Sequence, residues 1–347
     1  MTTDATFSAG VGARPGGPPA GPPSPAERCR TVARRFTALV DGGDLRLPFP
    51  GEGRTRERFR ALAALGREDL CVARLAEGHV DAAAILHELD GPPPEPGERW
   101  GVWAAHPPGP GLTATARGGG WWLNGVKPYC SGVHSCTHAL VTADSDQGRR
   151  LFAARVGDPA IAPVPGTWQA VGMAGSDSPD ATFTEVPATP VGDAGSYLRR
   201  PGFQHGGIGV AACWLGGAQA VAATLVAGAE AGHRPLDAHA AAHLGEVDVL
   251  LHAAESVLQR AADEIDEDPL DRLGGARMRS LRVRALVEKV CTDVLRHVGQ
   301  ATGAEPLCHD ARHARAVADL TVYLRQHHAE RNHAELGLLL TGQAEER

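Results

Sequence analysis

Residues 121–132 read WWLNGVKPYCSG, and the fold of the whole chain is read outward from them. Asn124-Gly125 is the strongest short-range signal for a two-residue hairpin, because a type I′ turn needs positive φ at both central positions. Trp121, Trp122 and Leu123 before it, and Val126 and Tyr129 after it, supply apolar arms. The spacing predicts a tight hairpin running into a polar turn. Tyr129-Cys130-Ser131-Gly132 then offers an aromatic face, a hydroxyl and an unhindered backbone. Those parts suit a flat ligand with polar edges. A hairpin with a tidy turn and no ligand accounts for the same letters.

Around this stretch the hydrophobic period is that of strands. WGVWAA, LTATAR, WWLNGVKPY, HALVTAD, RRLFAARV, WQAVGM and ATFTEVPATPV recur at intervals of roughly ten residues, separated by Gly, Pro, Asn and Asp. This predicts a β domain over 99–198, an antiparallel sandwich or small barrel. On its N-terminal side the period is helical. Ser24 before Pro25 reads as an N-cap with proline at N1. Cys29, Val32, Phe36 and Leu39 then fall three to four apart. Two or three helices fit a short domain over 25–98, closed by PPPEPGE. Residues 1–24, rich in Gly and Pro, are expected to be a disordered tail. On the C-terminal side, 199–347, four long apolar or amphipathic runs with short connections predict a helical bundle. The expected fold class is therefore α+β, with N-terminal helices, a central antiparallel β barrel or sandwich and a C-terminal four-helix bundle.

The totals narrow the function classes. The chain has 347 residues, 43% hydrophobic and 22% charged, with a formal net charge of −7. That balance opposes a nucleic-acid footprint, which needs a basic face. Seven cysteines without a CxxC pair read as reduced thiols in a cytoplasmic protein, and no thiolate metal site is expected. No uninterrupted run of 18 apolar residues appears, so no membrane span is expected. MTTDATFSAG lacks the basic and apolar regions of a secretory signal. The histidine-rich stretch QHHAERNHAE, 326–335, reads as a polar helix face; it has no HExxH.

The succession helical, β, helical, together with two blocks of residues, resembles the acyl-CoA dehydrogenase family of flavoproteins over about residues 30–340. LNGVKPYCSG is similar to that family's L-x-G-x-K-x-[WY]-[IC]-[ST]-[NG] strand and turn. TWQAVGMAGSDSPDATFTEVPA is similar to its W-x-x-x-G-M-R-x-[ST]-x-[ST] block and closing strand, through Trp168, Gly172, Met173, Ser176, Ser178 and Phe183 to Pro187. The resemblance implies FAD as cofactor. Tyr129 would cover the isoalloxazine, Ser131 would donate near flavin N5 or O4, and Cys130 would contribute its backbone. Trp168 and Ser176 would form a second wall. Arg234 stands where the family's R-x-x-F-G segment reaches a neighbouring subunit's FAD, so a homodimer or homotetramer is implied.

The sequence also departs from the family. The T-E-P-x-x-G-S-D loop is replaced by WAAHPPGPGLTATA, residues 103–116. His309-Asp310 stands where Arg-Asp is expected, and the Glu-Gly-Thr loop carrying the usual base is absent. Asp319 is the nearest acid and the candidate base, since dehydrogenation needs a carboxylate for the α-proton. His205, opening the long apolar helix, is a candidate contact for flavin or substrate. The leading expectation is a flavin-dependent acyl-CoA dehydrogenase-type oxidoreductase acting on the Cα–Cβ bond of an acyl or related small molecule, delivered as a thioester or otherwise. One alternative is a flavin monooxygenase on the same scaffold, in which His327 or His328 takes the role of a histidine that the resemblance places there. The other is a flavin-free homologue acting as a binding or scaffold subunit.

Overall fold

The computed structural model describes residues 24–106, 109, 111–230 and 236–343. Residues 1–23 of the expected tail and Arg234 lie outside the described residues, so the role expected for Arg234 is not addressed by the structure.

Three helices open the chain: α1 (Pro25–Asp41), α2 (Thr55–Glu68) and α3 (Leu70–Glu88). Ser24 caps α1 in a reciprocal capping box. Its Oγ accepts from Glu27 N at 3.3 Å, while Ser24 N donates to the Glu27 carboxylate at 2.8 Å. Val32, Phe36 and Leu39 form the buried stripe that the spacing predicts. Asp69 ends α2 and caps α3, its carboxylate accepting from Cys71 N and Val72 N. Nearly all of α3 is buried, including Glu77 and His79.

The central strands are β1 (Trp100–Trp103), β2 (Thr113–Arg117), β3 (Gly120–Lys127), β4 (His138–Ser145), β5 (Gly148–Arg155), β6 (Ile161–Pro163) and β7 (Ala181–Val191). They run in the order β1-β4-β2-β3-β7-β5, and β5 pairs back onto β4, which closes a small barrel. Two pairings depart from the antiparallel expectation: β1 and β2 each lie parallel to β4. Lys127 ties the barrel internally. Its buried Nζ donates to the backbone O and to Oγ1 of Thr142 on β4, each at 2.7 Å.

The predicted hairpin is displaced. Asn124-Gly125 lies inside β3, not at a turn; β2 and β3 connect through Gly118-Gly119, which supplies the two positive φ values, 58° and 79°. Asn124-Gly125 is instead a bulge against β7, where the register shifts between Leu123 and Gly125. The Asn124 amide pairs with Glu185 twice, through Nδ2 to Oε1 at 2.7 Å and from Glu185 N to Oδ1 at 2.9 Å. A Cβ at Gly125 would stand 2.6 Å from Gly111 O, so the bulge needs glycine for space as well as for its φ of 121°. WQAVGM, expected as a strand, is a loop ending in a short 3₁₀ turn, Ala174–Ser176.

After a short helix α4 (Ser196–Arg199) come α5 (Pro201–Glu230), α6 (Ala238–Glu267) and α7 (Ala276–Thr302), then α8 (Glu305–His309), α9 (Ala311–Tyr323) and α10 (Ala329–Leu340). α5 has no uninterrupted run of 18 apolar residues, yet by length and mean hydropathy it is apolar enough to cross a membrane. Its position explains the composition: it is buried for most of its length, against α2 and α7. Glycines permit the approach to α2. A Cβ at Gly216 would lie 2.0 Å from Ala63 O, and one at Gly66 would lie 2.3 Å from Cys213 O. Three long helices match the expectation. The fourth is divided: a 3₁₀ turn at Leu324–Gln326 separates α9 from α10, and His327 and His328 sit in the joint.

Candidate functional site

Two turns meet at one end of the barrel. The first, Tyr129–Gly132, leaves β3; the second, Gly172–Asp180, leads into β7. They are stitched by backbone bonds, Cys130 N to Pro179 O at 2.9 Å and Gly132 N to the carbonyls of Ser176 and Asp177, both at 2.9 Å. Three residues that are not glycine carry positive φ here: Tyr129 at 57°, Met173 at 60° and Asp177 at 46°. Such backbone is costly and clusters where function over-determines it. The Tyr129 ring is 57% exposed, an aromatic held out at the mouth of the site.

Behind Tyr129 a row of buried hydroxyls runs inward. Ser131 Oγ and Ser178 Oγ are 2.9 Å apart, Ser178 Oγ and Ser176 Oγ 2.8 Å, and Ser176 Oγ reaches Met173 O at 2.9 Å. Ser178 Oγ donates to Ser131 Oγ, while Ser176 Oγ can donate either to Ser178 Oγ or to Met173 O. With Ser176 donating to Ser178 and Ser178 to Ser131, the Ser131 proton is free to be donated. Trp103 Nε1 holds the Ser131 carbonyl at 3.0 Å and fixes the turn from below. Cys130 is buried, and burial pushes its thiol above the ordinary range, so it stays a thiol with Sγ on Lys127 O. Trp168 follows Thr167, whose Oγ1 accepts from Asp180 N at 2.9 Å; it packs partly buried against the core, and its indole Nε1 is buried without a partner.

Asp319, on α9, lies beneath the second turn. Its carboxylate accepts from Met173 N, stands 3.7 Å from Arg28 and receives Cys71 Sγ at 3.7 Å. Burial raises its pKa, with the Met173 amide opposing. Both oxygens are thus engaged inside the protein, and the geometry gives Asp319 an anchoring task. Asp69, Cys71 and Asp319 converge closely enough for a metal, but the Arg28 guanidinium already stands among them, 2.5 Å from Asp69.

His205 is in the first turns of α5 and 1% exposed, with Nε2 unpartnered; burial lowers its pKa to about 4, so the ring is neutral. Among the described residues no hydrogen bond or ion pair joins it to the Tyr129 turn. His205 belongs to a partly buried charged group on α2, α3 and the junction of α4 with α5 that includes Arg58, Asp81, Glu88 and Arg200. His327 is 5% exposed with both ring nitrogens unpartnered, and burial beside Arg284 holds its pKa down. Arg284 escaped notice in the sequence. Its signal was its position, four residues after buried Ser280 and three before buried Val287, on the inward face of α7.

A narrow cleft joins the Ser131 turn to α3 and β1, lined by Arg74, Gly78, Val102, Ser131 and Cys136 among others. A wider groove lies elsewhere, between α2, α5 and α6, floored by Phe59, Ala63 and Leu258; it touches none of the candidate residues.

Comparison with protein-family models and with curated proteins gives no match. Solved structures do match over nearly the whole chain. Methanesulfinate monooxygenase from Pseudomonas fluorescens is 19% identical, with 93% of this chain and 98% of that one covered and a TM-score of 0.74. KijD3, solved with FMN and dTDP-3-amino-2,3,6-trideoxy-4-keto-3-methyl-D-glucose, is 18% identical over 92% of each chain, at 0.77. Dibenzothiophene monooxygenase from Paenibacillus sp. A11-2 is 18% identical over 92% of this chain and 97% of that one, at 0.72. The chain therefore shares the fold of these proteins, the acyl-CoA dehydrogenase fold.

Proposed function

We propose that this protein is a flavin-dependent oxidoreductase of the monooxygenase type, acting on a small molecule. The observation that carries the flavin reading is the Ser131–Ser178–Ser176 row beside the exposed Tyr129. The residues fit the group in two respects. Tyr129 offers a flat apolar face, and Trp168 offers a buried indole N–H without a partner. A flavin bound there would supply two-electron chemistry and reactivity with oxygen. The chain's own contribution is at Ser131 Oγ, which accepts from Ser178 Oγ and so keeps its own proton to donate.

The choice between branches rests on Asp319 and His327. A dehydrogenase needs an open carboxylate for the α-proton, and Asp319 spends its oxygens on Met173 N, Arg28 and Cys71. His327 is neutral, buried and unpartnered at both nitrogens, so it can hold a proton at one and receive one at the other. FMN and FAD are both admitted by this reading. Assembly as a homodimer or homotetramer is part of it, supported by exposed apolar side chains such as Val249 on α6 and Leu273 beyond it.

The test is oxygen uptake with externally reduced flavin and a substrate panel, set against anaerobic bleaching of bound flavin by acyl thioesters. Uptake without bleaching is expected. Bleaching by a thioester would restore the dehydrogenase. The flavin-free alternative is favoured by one observation: the turn's N–H groups at Cys130 and Gly132 are already satisfied by carbonyls. Absence of any flavin binding would establish it.

A further inference from the structure

The interior between α5, α7 and α9 holds polar groups that the flavin turn does not use. Trp214 on α5 is fully buried with Nε1 unpartnered, and Tyr323 at the end of α9 is 2% exposed with its hydroxyl unpartnered. Their rings meet edge to face at 6.3 Å. The Arg284 guanidinium lies over the Trp214 ring at 4.7 Å. Among the described residues Arg284 has no carboxylate within ion-pair distance; its recorded partners are two carbonyls, Gly207 O at 2.5 Å and Gln326 O at 3.3 Å. Those bonds use two of its five N–H groups. Gln326 leads directly into His327, whose two nitrogens are unpartnered. Four orphaned polar atoms on three side chains thus gather around one partly buried cation. Buried polar groups are rarely left so, and a partly buried arginine with no carboxylate in contact calls for an anion.

We propose that this cluster binds the carboxylate, or an isosteric oxyanion, of a small organic molecule. Arg284 supplies the charge, and Tyr323 Oη and Trp214 Nε1 supply two directed hydrogen bonds. Neutral His327 supplies a third donor or, by tautomer, an acceptor for a polar group beside the anion. Glu77 makes its ion pair with Arg74, at 2.8 Å, and acts on Arg284 only through space, with no direct contact. Assigning the bound molecule as the substrate rests on the flavin reading above; the binding itself does not.

The test is calorimetric titration of the full chain, with and without FMN, using formate, acetate, benzoate and phenylacetate and the corresponding amides. At least one carboxylate is expected to saturate, and its amide to bind at least about tenfold more weakly, a difference of roughly 1.4 kcal/mol. Tyr323→Phe, which keeps the ring packing, is expected to weaken that carboxylate about fivefold to tenfold. Arg284→Lys should weaken it by at least as much, and thermal melts of both variants report whether the fold is kept. No saturation by any carboxylate up to about 10 mM, or equal affinity in Tyr323→Phe and the parent, would overturn the site. Carboxylate binding without flavin binding would leave the anion site standing and remove the oxidoreductase. Flavin binding without carboxylate binding would do the reverse.

Discussion

The carboxylate of Asp319 accepts the backbone N–H of Met173 across 146 residues of sequence, and so joins α9 to the turn that faces Tyr129. Met173 has a positive φ of 60°, a backbone state that an unbranched apolar residue does not choose unaided. The tie explains why a buried acid stands at 319. Asp319→Ala is expected to cost about 2 kcal/mol in urea unfolding, because it strands Met173 N while Arg28 keeps its pair with Asp69. Asp319→Asn keeps an acceptor and is expected to cost about half as much. Equal stability of Asp319→Ala and the parent would remove the anchoring role.

The backbone at Tyr129 gives a prediction in which stability and binding move in opposite directions. Tyr129→Gly relieves a positive φ and is expected to stabilise the protein by about 1 kcal/mol. The same change removes the exposed ring, and flavin affinity should fall at least about tenfold. Thermal melts and flavin titration on one preparation check both. A variant that loses stability and keeps affinity would show that the ring is a packing residue.

Ser178 is the middle of the hydroxyl row, so Ser178→Ala breaks it without touching either end. Ser131 and Ser176 each lose a partner, and the expected cost is about 1–2 kcal/mol. Because Ser178 Oγ donates to Ser131 Oγ and leaves the Ser131 proton free to be donated, Ser178→Ala should also change the reduction potential of bound flavin while leaving flavin affinity within a fewfold. An unchanged potential would reduce the row to a structural element.

Lys127 carries a pH dependence with a definite sign. Burial lowers its pKa to about 8, while its two bonds to Thr142 hold the proton in place. The unfolded chain, with a lysine near its ordinary value of about 10.4, binds more protons than the native chain between the two values. Stability contributed by this residue therefore rises as pH goes from about 8 towards about 10. The difference in stability between the parent and Lys127→Met, followed by urea unfolding across that range, should rise with pH. A flat difference would mean that the Thr142 bonds cancel the burial.

The helical and β segments were legible because amphipathic period and capping are local. Ser24, Pro25 and the Val32–Phe36–Leu39 stripe lie where the letters put them. Asn124-Gly125 misled because two glycines a few residues earlier, Gly118 and Gly119, form the turn, and the choice between the two pairs depends on register with β7. The break at Leu324–Gln326 has no proline or glycine to announce it. The paired motifs around Ser131 and Ser176 pointed to the facing turns, whose contact is a property of the fold. Asp319 looked like a base because the sequence shows an acid without showing that Met173 N and Arg28 occupy it. Arg284 and Tyr323 could not be joined in sequence, since 39 positions and a helix turn separate groups that meet only through Trp214.

The central claim is that the Tyr129–Ser131 turn is the wall of a flavin site, and titration of the purified protein with oxidised FMN and FAD tests it most directly. The account predicts saturable binding of one of them with a shifted visible band and quenched flavin fluorescence, both weakened at least about tenfold in Tyr129→Gly. Unshifted spectra for both flavins, identical in the parent and in Tyr129→Gly, would contradict it.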